Sequence, residues 1–360
     1  MRIKTDVSAT KKALQAITEL IPRKEFIEGF RIELKTSGTR AYWAARSECA
    51  HLQSEIIGAE VVEEGAVSLS GFETMRLLSG YNKKLNLQLF TMRAELVFDD
   101  GFGLPDRLPV SDPFGFEKAP STTCGKVSRA DFCRALRQLQ TFTIKTFHPS
   151  SEYVSISYKK GWLTGFVTDF YMFSLTSIKL LEERKALSRP LQFHHSVGGK
   201  IVKFFEAVKE EQMTIGESAD EWVFETESLQ WRMKKEWAME TLDIQPWKTA
   251  LREALSKEWT QAESSDWSRE LIADTKAEVP YQIIDNTFFQ TREIAKLVKS
   301  MKPKPFDYYI DGEQLFAKQV EPQYVNYTFA SGINEKGVIE DEERNAVPVS
   351  ESYETETNDD

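Results

Sequence analysis

The sequence predicts an α+β fold assembled from a repeated unit of one strand, one short amphipathic helix and two or three antiparallel strands. The full unit occurs at 66–98, 190–233 and 278–320. Related half-units lie at 2–57 and 126–180. One repeat of this size cannot close a core alone, whereas stacked copies bury one together. We therefore expect function to belong to the assembled copies.

Within the half-units, helices and strands carry distinct periodic signals. The helix 8–20 begins at a predicted N-cap, Ser8, and buries one apolar face formed by Ala13, Leu14, Ile17 and Leu20. The helix 128–140 repeats this spacing with Phe132, Leu136 and Leu139. Strand 153–158 alternates apolar and polar residues, as expected for a half-buried antiparallel sheet.

Two half-units make a domain, so the boundaries fall near the Pro- and Gly-rich passage 113–123 and near 245–247. The predicted domains are 1–117, 118–246 and 247–333, followed by an acidic tail, 334–360. The third domain is shortened, because 247–277 reads as two helical segments without a strand.

Composition favours a soluble cytoplasmic protein. The 360 residues are 41% apolar, and charges interrupt the N-terminal stretch where a signal peptide would be apolar. Cys49, Cys124 and Cys133 form no C-x-x-C pair, so we expect thiols rather than disulfides or a zinc site.

Charge is distributed unevenly along the chain. The net charge is −10, and the tail holds ten acidic residues against Lys336 and Arg344. The tail thus carries −8, the body only −2, and we expect the tail to be disordered. The predicted helices 8–20, 128–140, 197–210 and 288–302 sum to +7. Their cations either face nucleic-acid phosphates without sequence preference or simply solvate exposed helix faces.

Catalytic and cofactor motifs are missing from the sequence. No G-x-S-x-G or H-E-x-x-H occurs, and Ile201 follows Gly198-Gly199-Lys200 where a phosphate loop needs Ser or Thr. His194 and His195 are expected on opposite faces of one strand, and 99–101 reads as a hairpin turn. We expect no enzyme, no metal and no cofactor.

The stretch 162–175, WLTGFVTDFYMFSL, is similar to the middle-domain segment of bacterial DNA polymerase III β sliding clamps that contains Ala-Thr-Asp-Gly-His-Arg-Leu-Ala. Supporting segments are Ile21-Pro22-Arg23-Lys24, 65–78 and 106–114, and the order of elements agrees over 1–333. The resemblance implies a head-to-tail homodimeric ring with outer sheets, and with inner helices around duplex DNA. It further implies DNA polymerase and clamp loader as partners, with no membrane association.

Candidate sites follow from the charge pattern and the resemblance together. The predicted DNA-facing cations are Lys11, Lys12, Arg23, Lys24, Arg76, Arg134, Arg137, Lys200, Lys203, Arg292, Lys296 and Lys299. The resemblance implies a partner-peptide pocket of Thr168, Phe170, Tyr171, Met172, Phe173, Leu242, Ile244, Pro246, Tyr327, Thr328, Phe329 and Ala330, and a subunit interface at Phe102 and Leu104.

Departures from the family pattern leave alternatives open. The family's Gly-His-Arg-Leu is replaced by 170–173, Phe-Tyr-Met-Phe, which forms either an apolar pocket or ordinary strand core. The main functional hypothesis is a sliding-clamp processivity factor, and the alternative is a monomeric or open scaffold or inhibitor of replication proteins. The acidic tail either shields the channel, mimics DNA or tethers a partner.

Overall fold

The computed structural model describes residues 1–18, 20, 30–46, 50–82, 84–114, 121–142, 152–168, 172–185, 187–235, 245–262, 281–284, 287–301 and 304–332. The chain separates into two compact units. Unit 1 comprises Met1–Val167, Leu175–Leu242 and Glu321–Val325. Unit 2 comprises Thr168–Ser174, Asp243–Val320 and Asn326–Asp360.

Unit 1 holds helices that pack in pairs. Their bounds are α1 Val7–Thr18, α2 Gly71–Gly80, α3 Arg129–Thr141 and α4 His195–Glu206. Helix α1 packs on α2, and α3 packs on α4. The predicted helices at 8–20 and 128–140 are therefore present, each within a few residues of its expected bounds.

Side-chain caps explain where three of these helices begin. The Ser70 and Ser128 hydroxyls accept hydrogen bonds from the backbone N–H groups of Glu73 and Asp131, so each satisfies an otherwise unpaired donor. The predicted cap of α1 was wrong by two residues. Asp6 Oδ1, rather than the Ser8 hydroxyl, accepts from the Ala9 N–H at 2.7 Å.

Two antiparallel sheets lie wholly within unit 1. The five-stranded sheet has the order β5-β1-β7-β8-β9, formed by Glu60–Glu63, Arg2–Asp6, Asn86–Met92, Glu95–Asp99 and Asp106–Pro109. The nine-stranded sheet has the order β14-β10-β16-β17-β18-β4-β3-β2-β6, formed by Glu182–Glu183, Thr122–Ser128, Gln212–Glu217, Glu221–Glu225, Leu229–Lys234, Ala50–Glu55, Arg40–Arg46, Arg31–Ser37 and Ala66–Ser70.

The nine-stranded sheet joins the first two predicted domains. Strand β18 pairs with β4 in antiparallel register, with Trp231 opposite Leu52 and Leu229 opposite Ser54. Trp231 is buried and contacts Phe204 of α4 edge-on, with ring centroids 5.5 Å apart. This shared sheet explains why both segments belong to unit 1, and the 117/118 boundary stays a prediction.

Further strands of unit 1 run in the order β15-β11-β12, formed by Leu191–His194, Tyr153–Lys159 and Trp162–Thr168. The next strand, β13, is Met172–Lys179, whose first three residues belong to unit 2 together with Thr168 of β12. Of these strands, β11 was predicted from its alternation at 153–158, and the strand that opens the repeat at 190–233 corresponds to β15.

Unit 2 contains two helices, α5 Gln245–Leu255 and α6 Thr291–Met301, in its described part. Its strands are β19 Thr260–Ala262, β20 Tyr281–Ile284, β21 Thr287–Gln290, β22 Phe306–Asp311, β23 Gln314–Glu321 and β24 Tyr324–Ser331, except that the end of β23 (Glu321) and the start of β24 (Tyr324 and Val325) belong to unit 1. Strands β20 and β21 form a hairpin that leads into α6. The sheet order is β24-β23-β22-β19.

One prediction for unit 2 was wrong. No strand was expected between 247 and 277, yet β19 pairs with β22, with Thr260 opposite Tyr308. The preceding residue, Trp259, packs its ring on Tyr309 with centroids 6.0 Å apart, and Ala262 is buried. A run of three residues carries too little alternation to be recognised without these contacts. The helix expected at 266–275 lies outside the described residues.

The molecule is thus an α+β protein of multiple antiparallel sheets with few helices in its described part. None of the described helices is long and apolar enough to cross a membrane.

Candidate nucleic-acid interface and partner pocket

The α3–α4 pair shows how the predicted DNA-facing cations are held in unit 1. Gly198 lies at the helix contact, where a Cβ would stand 2.8 Å from Gln140 Nε2 and 3.2 Å from Phe193. Gln140 donates to the His195 carbonyl at 2.7 Å. Gly198 and Gly199 therefore lie within helix α4, where Gly198 packs closely against α3, and they do not form a phosphate loop.

On α3, both predicted cations have acidic partners. Arg137 forms an ion pair with Glu206 of α4. Arg134 Nη1 lies 2.8 Å from Glu321 Oε1, and its guanidinium sits 3.9 Å from the Tyr324 ring centroid. Burial raises the pKa of Tyr324 even though Arg134 acts to lower it. Part of the positive charge on α3 is thereby neutralised within unit 1.

Two further cations hold helix ends. Arg129 Nε and Nη1 donate to the carbonyls of Glu210 and Phe205 at 2.6 and 3.1 Å, at the C-terminal end of α4. Lys11 Nζ reaches the Ser79 and Tyr81 carbonyls at the end of α2, at 3.5 and 3.4 Å. Cations at helix C-termini satisfy unpaired carbonyls and oppose the helix dipole. Lys11 therefore stabilises the α1–α2 pair.

The remaining predicted cations are mostly exposed. Lys200 and Lys203 stand three residues apart on α4, which places them on one face. On α6, Arg292 and Lys299 are exposed and Lys296 is half-buried, opposite buried Ile294, Leu297 and Val298. Lys12 of α1 and Arg76 of α2 are exposed as well. Arg23 and Lys24 lie outside the described residues.

Lys12 also borders a cavity of about 420 Å³ in unit 1. Acidic groups line its rim, Asp6 at the start of α1 and Glu55 at the end of β4. Desolvation raises the pKa of Glu55, although Arg40 acts to lower it. No local pattern predicts this cavity, because its walls come from segments about 200 residues apart.

The predicted partner pocket is closely packed where the structure describes it. Thr168, Met172, Phe173, Thr328, Phe329 and Ala330 are all buried. The Phe173 and Phe329 rings stack with centroids 5.3 Å apart, and Trp247 meets Phe173 edge-on at 6.5 Å. Thr168 Oγ1 donates to the Met172 carbonyl at 2.8 Å. The fold thus brings these predicted pocket residues together, and their aromatic rings pack as they would in a hydrophobic core.

The remaining pocket residues divide into two groups. Pro246 is exposed near the start of α5, and Tyr327 is half-buried, where burial raises its pKa. Phe170, Tyr171, Leu242 and Ile244 lie outside the described residues.

Sequence reasoning missed an aromatic row that continues from this pocket through unit 2. Phe329 contacts Phe316, with centroids 5.2 Å apart, and Phe316 contacts Tyr309 at 6.4 Å. Lys318 Nζ stands 4.1 Å from the Trp259 ring centroid beside them. The alternation within β22 and β23 predicts which side chains share a face, but not that Trp259 completes the row.

The predicted interface residues lie on a loop after β8. Gly101 has φ +77°, and the Gly101 and Phe102 amides donate to the carboxylates of Asp99 and Asp100 at 2.8 and 3.0 Å. This turn, predicted from 99–101, projects Phe102 and Leu104, which are 82% and 98% exposed. Two apolar side chains in water beside the edge strand β9 are suited to contact another protein surface.

The histidine pair differs from its prediction. His194 ends β15 and His195 begins α4, so the rings are not on opposite faces of one strand and lie 4.3 Å apart. His194 Nε2 stands 3.2 Å from Glu152 Oε2. Among the described residues, no group of three or more His, Cys, Asp or Glu side chains could hold a metal ion.

The fold is that of the DNA polymerase III β sliding clamps. The chain superposes on the β subunit of Pseudomonas aeruginosa with TM-score 0.73 and 10% identity, covering 93% of this chain and 100% of that one. The Helicobacter pylori β clamp solved with diflunisal superposes with TM-score 0.72 and 13% identity, covering 93% of this chain and 100% of that one. The Thermotoga maritima β subunit superposes with TM-score 0.68 and 12% identity, covering 92% of this chain and 99% of that one.

No protein-family model matches the sequence, and no curated protein matches it. The likeness is therefore one of fold, and the resemblance predicted from 162–175 is confirmed at that level.

Proposed function

We propose that this chain is a divergent β-type sliding clamp, a non-enzymatic processivity factor that encircles duplex DNA and tethers replication proteins. The observation that carries the proposal is the fold. The likeness covers 93% of this chain and 100% of the P. aeruginosa β subunit, so it extends over the chain rather than over one domain.

Charge placement supports the DNA-facing role. Lys200 and Lys203 are exposed on one face of α4, and Arg292 and Lys299 on one face of α6. Exposed cations on helices provide contacts to phosphates that depend on salt and ignore sequence. A ring holds DNA topologically, so a modest number of such contacts in a chain of net charge −10 is sufficient.

Assembly into a head-to-tail homodimer is part of the proposal. Phe102 and Leu104 supply an apolar contact beside the edge strand β9. DNA polymerase and clamp loader are the proposed partners, and the cytoplasm is the proposed compartment. The partner site is proposed at the surface around Pro246 and Tyr327, because Phe173 and Phe329 are buried.

The salt dependence of binding to a duplex of about 30 base pairs tests the DNA-facing role. The double variant K200Q/K203Q removes two cations from α4. We expect the slope of log K against log salt to fall by about 1.8, which corresponds to two fewer phosphate contacts. The matched control K84Q/K179Q removes two exposed lysines outside the helices and leaves the slope unchanged. Equal slopes for the two variants would overturn the assignment.

A second candidate is a clamp-derived scaffold that binds replication proteins as a monomer. The observation that favours it is the burial of Met172 and Phe173, at 0% and 1% exposure, where the resemblance implies an accessible pocket. Light scattering at micromolar concentration separates the two. A mass near 83 kDa, twice 41.3 kDa, supports the ring, and 41.3 kDa supports the scaffold.

A further inference from the structure

We propose that the acidic tail, 334–360, docks on the cationic face of α6 and competes with duplex DNA for it. That face is defined by Arg292, Lys296 and Lys299. The docking stands on the charge and geometry of this chain, whereas the competition with DNA rests on the function proposed above.

The face carries three cations and one acidic neighbour, Glu293, which stands three residues before Lys296 on the helix. Arg292, Lys296 and Lys299 are spaced at i, i+4 and i+7, which aligns them along one side of the helix. The opposite side holds Ile294, Leu297 and Val298 in the core, so the helix cannot turn its cations inward. Lys299 lies in the last turn, where a cation interacts favourably with the negative end of the helix dipole.

The described chain leaves unit 2 beside the start of α6. Gly332 donates its N–H to the Glu313 carbonyl, and a Cβ at Gly332 would stand 2.7 Å from Thr287 Cγ2 and 2.9 Å from the Phe288 carbonyl oxygen. Residues 287–290 form β21, which runs directly into Thr291 of α6. The tail therefore starts within a few residues of the face that it complements.

The negative charge of the tail and the length of chain that leads to it both fit docking on the cationic face. The run Glu340-Asp341-Glu342-Glu343 begins eight residues after Gly332. Eight extended residues span up to about 28 Å, whereas an 11-residue helix is about 16 Å long, so the run reaches the whole face. The tail carries −8, which exceeds the three positive charges of the face. Tethering holds these carboxylates at an effective concentration on the order of 1 mM.

Docking is tested on the full native chain without DNA, with a zero-length carbodiimide cross-linker and peptide mass spectrometry at dilute protein. We expect intramolecular links from tail carboxylates to Lys296 and Lys299, lost at about 500 mM salt where charges are screened beyond about 4 Å. Lys257 is an exposed lysine of the same unit and serves as the internal reference. Links spread evenly over Lys257 and the α6 lysines would overturn the docking.

Competition is tested by duplex affinity of the full chain with E340Q/D341N/E342Q/E343Q. If docking has a dissociation constant of about 0.1 mM, a tethered concentration of about 1 mM weakens DNA binding about tenfold, and this variant recovers it. The control E64Q/D112N/D220N/E258Q makes the same change in net charge at exposed residues outside the tail and recovers less than half of that gain.

The two failures are distinguishable. Equal affinities for the tail variant and its control would overturn the competition. Cross-links to Lys296 and Lys299 in a chain that binds no duplex would overturn the proposed function and leave the docking intact.

Discussion

The aromatic rings of Phe173 and Phe329 stack face to face, with centroids 5.3 Å apart and planes inclined by 13°. Both side chains are buried, and the Phe316 ring also contacts Phe329, with centroids 5.2 Å apart. The resemblance places these residues in a partner pocket, whereas their packing gives them the environment of a core.

Truncation of Phe329 measures how far this stack stabilises the fold. We expect F329A to lower the free energy of unfolding by about 3 kcal/mol, because a ring enclosed by other rings leaves a cavity. Urea denaturation followed by circular dichroism provides the value. The control F72A removes a ring that is 39% exposed on α2 and costs less than about 1 kcal/mol. A cost below about 1 kcal/mol for F329A would show that the site is open rather than packed.

Adjacent glycines of α4 are expected to differ in how much the same substitution destabilises the fold. G198A places a Cβ 2.8 Å from Gln140 Nε2, which donates to the His195 carbonyl, so we expect a loss of about 1 kcal/mol. G199A meets the same Gln140 Nε2 at 3.3 Å, so Gln140 has to move only a few tenths of an ångström, and the helix propensity of Ala offsets this cost to leave a change below about 0.5 kcal/mol. Thermal unfolding of both variants checks the pair. Equal shifts would show that α3 and α4 do not pack closely at Gly198.

The buried Glu217–Lys235 ion pair predicts a pH-dependent contribution to stability. Desolvation acts to raise the pKa of Glu217, but hydrogen bonds from Ser188 and Lys235 lower it below its usual 4.5. A lowered pKa means that the stabilisation is complete above about pH 4.5 and is lost as pH falls through the folded-state pKa.

Substitution of Glu217 tests this contribution. E217Q leaves the Lys235 ammonium buried without its carboxylate, and we expect a loss of about 3 kcal/mol at pH 7. The difference from the native chain should narrow below about pH 4 as Glu217 becomes protonated. Denaturation curves from pH 3 to 7 give the comparison, with exposed E64Q as control. A difference that stays constant with pH would contradict the assignment.

Loss of the exposed apolar pair on the loop after β8 is expected to abolish dimer formation. F102D/L104D introduces charge at side chains that are 82% and 98% exposed, so folding of the single chain is unaffected. Light scattering should show the mass fall from dimer to monomer. V62D/M92D alters two exposed apolar residues of the same five-stranded sheet and retains the dimer. A dimer that survives F102D/L104D would place the interface elsewhere.

Sequence periodicity located helices and strands that bury one face, but it did not predict which charged side chains would be paired. Apolar spacing located α1 and α3, and alternation located β11, because each buries one face. It could not distinguish Lys200, which is exposed, from Arg134, which is held by Glu321 and Tyr324 from a segment about 187 residues away. Contacts at that separation leave no local pattern.

Other differences have the same origin. The α1 cap was assigned to Ser8, although Asp6 was an equally good acceptor two residues earlier. Strand β19 was overlooked because three residues are fixed by Trp259 and the β22 partner rather than by their own alternation.

Retention on DNA of defined topology tests the central claim most directly. The chain is loaded with ATP and a clamp loader, the proposed partner, on a nicked circular plasmid and passed through gel filtration at about 500 mM salt, where phosphate contacts are weak. We predict that the protein elutes with the circle and is released after one restriction cut lets it slide off the ends. Equal retention on the circular and the linearised plasmid would contradict encirclement.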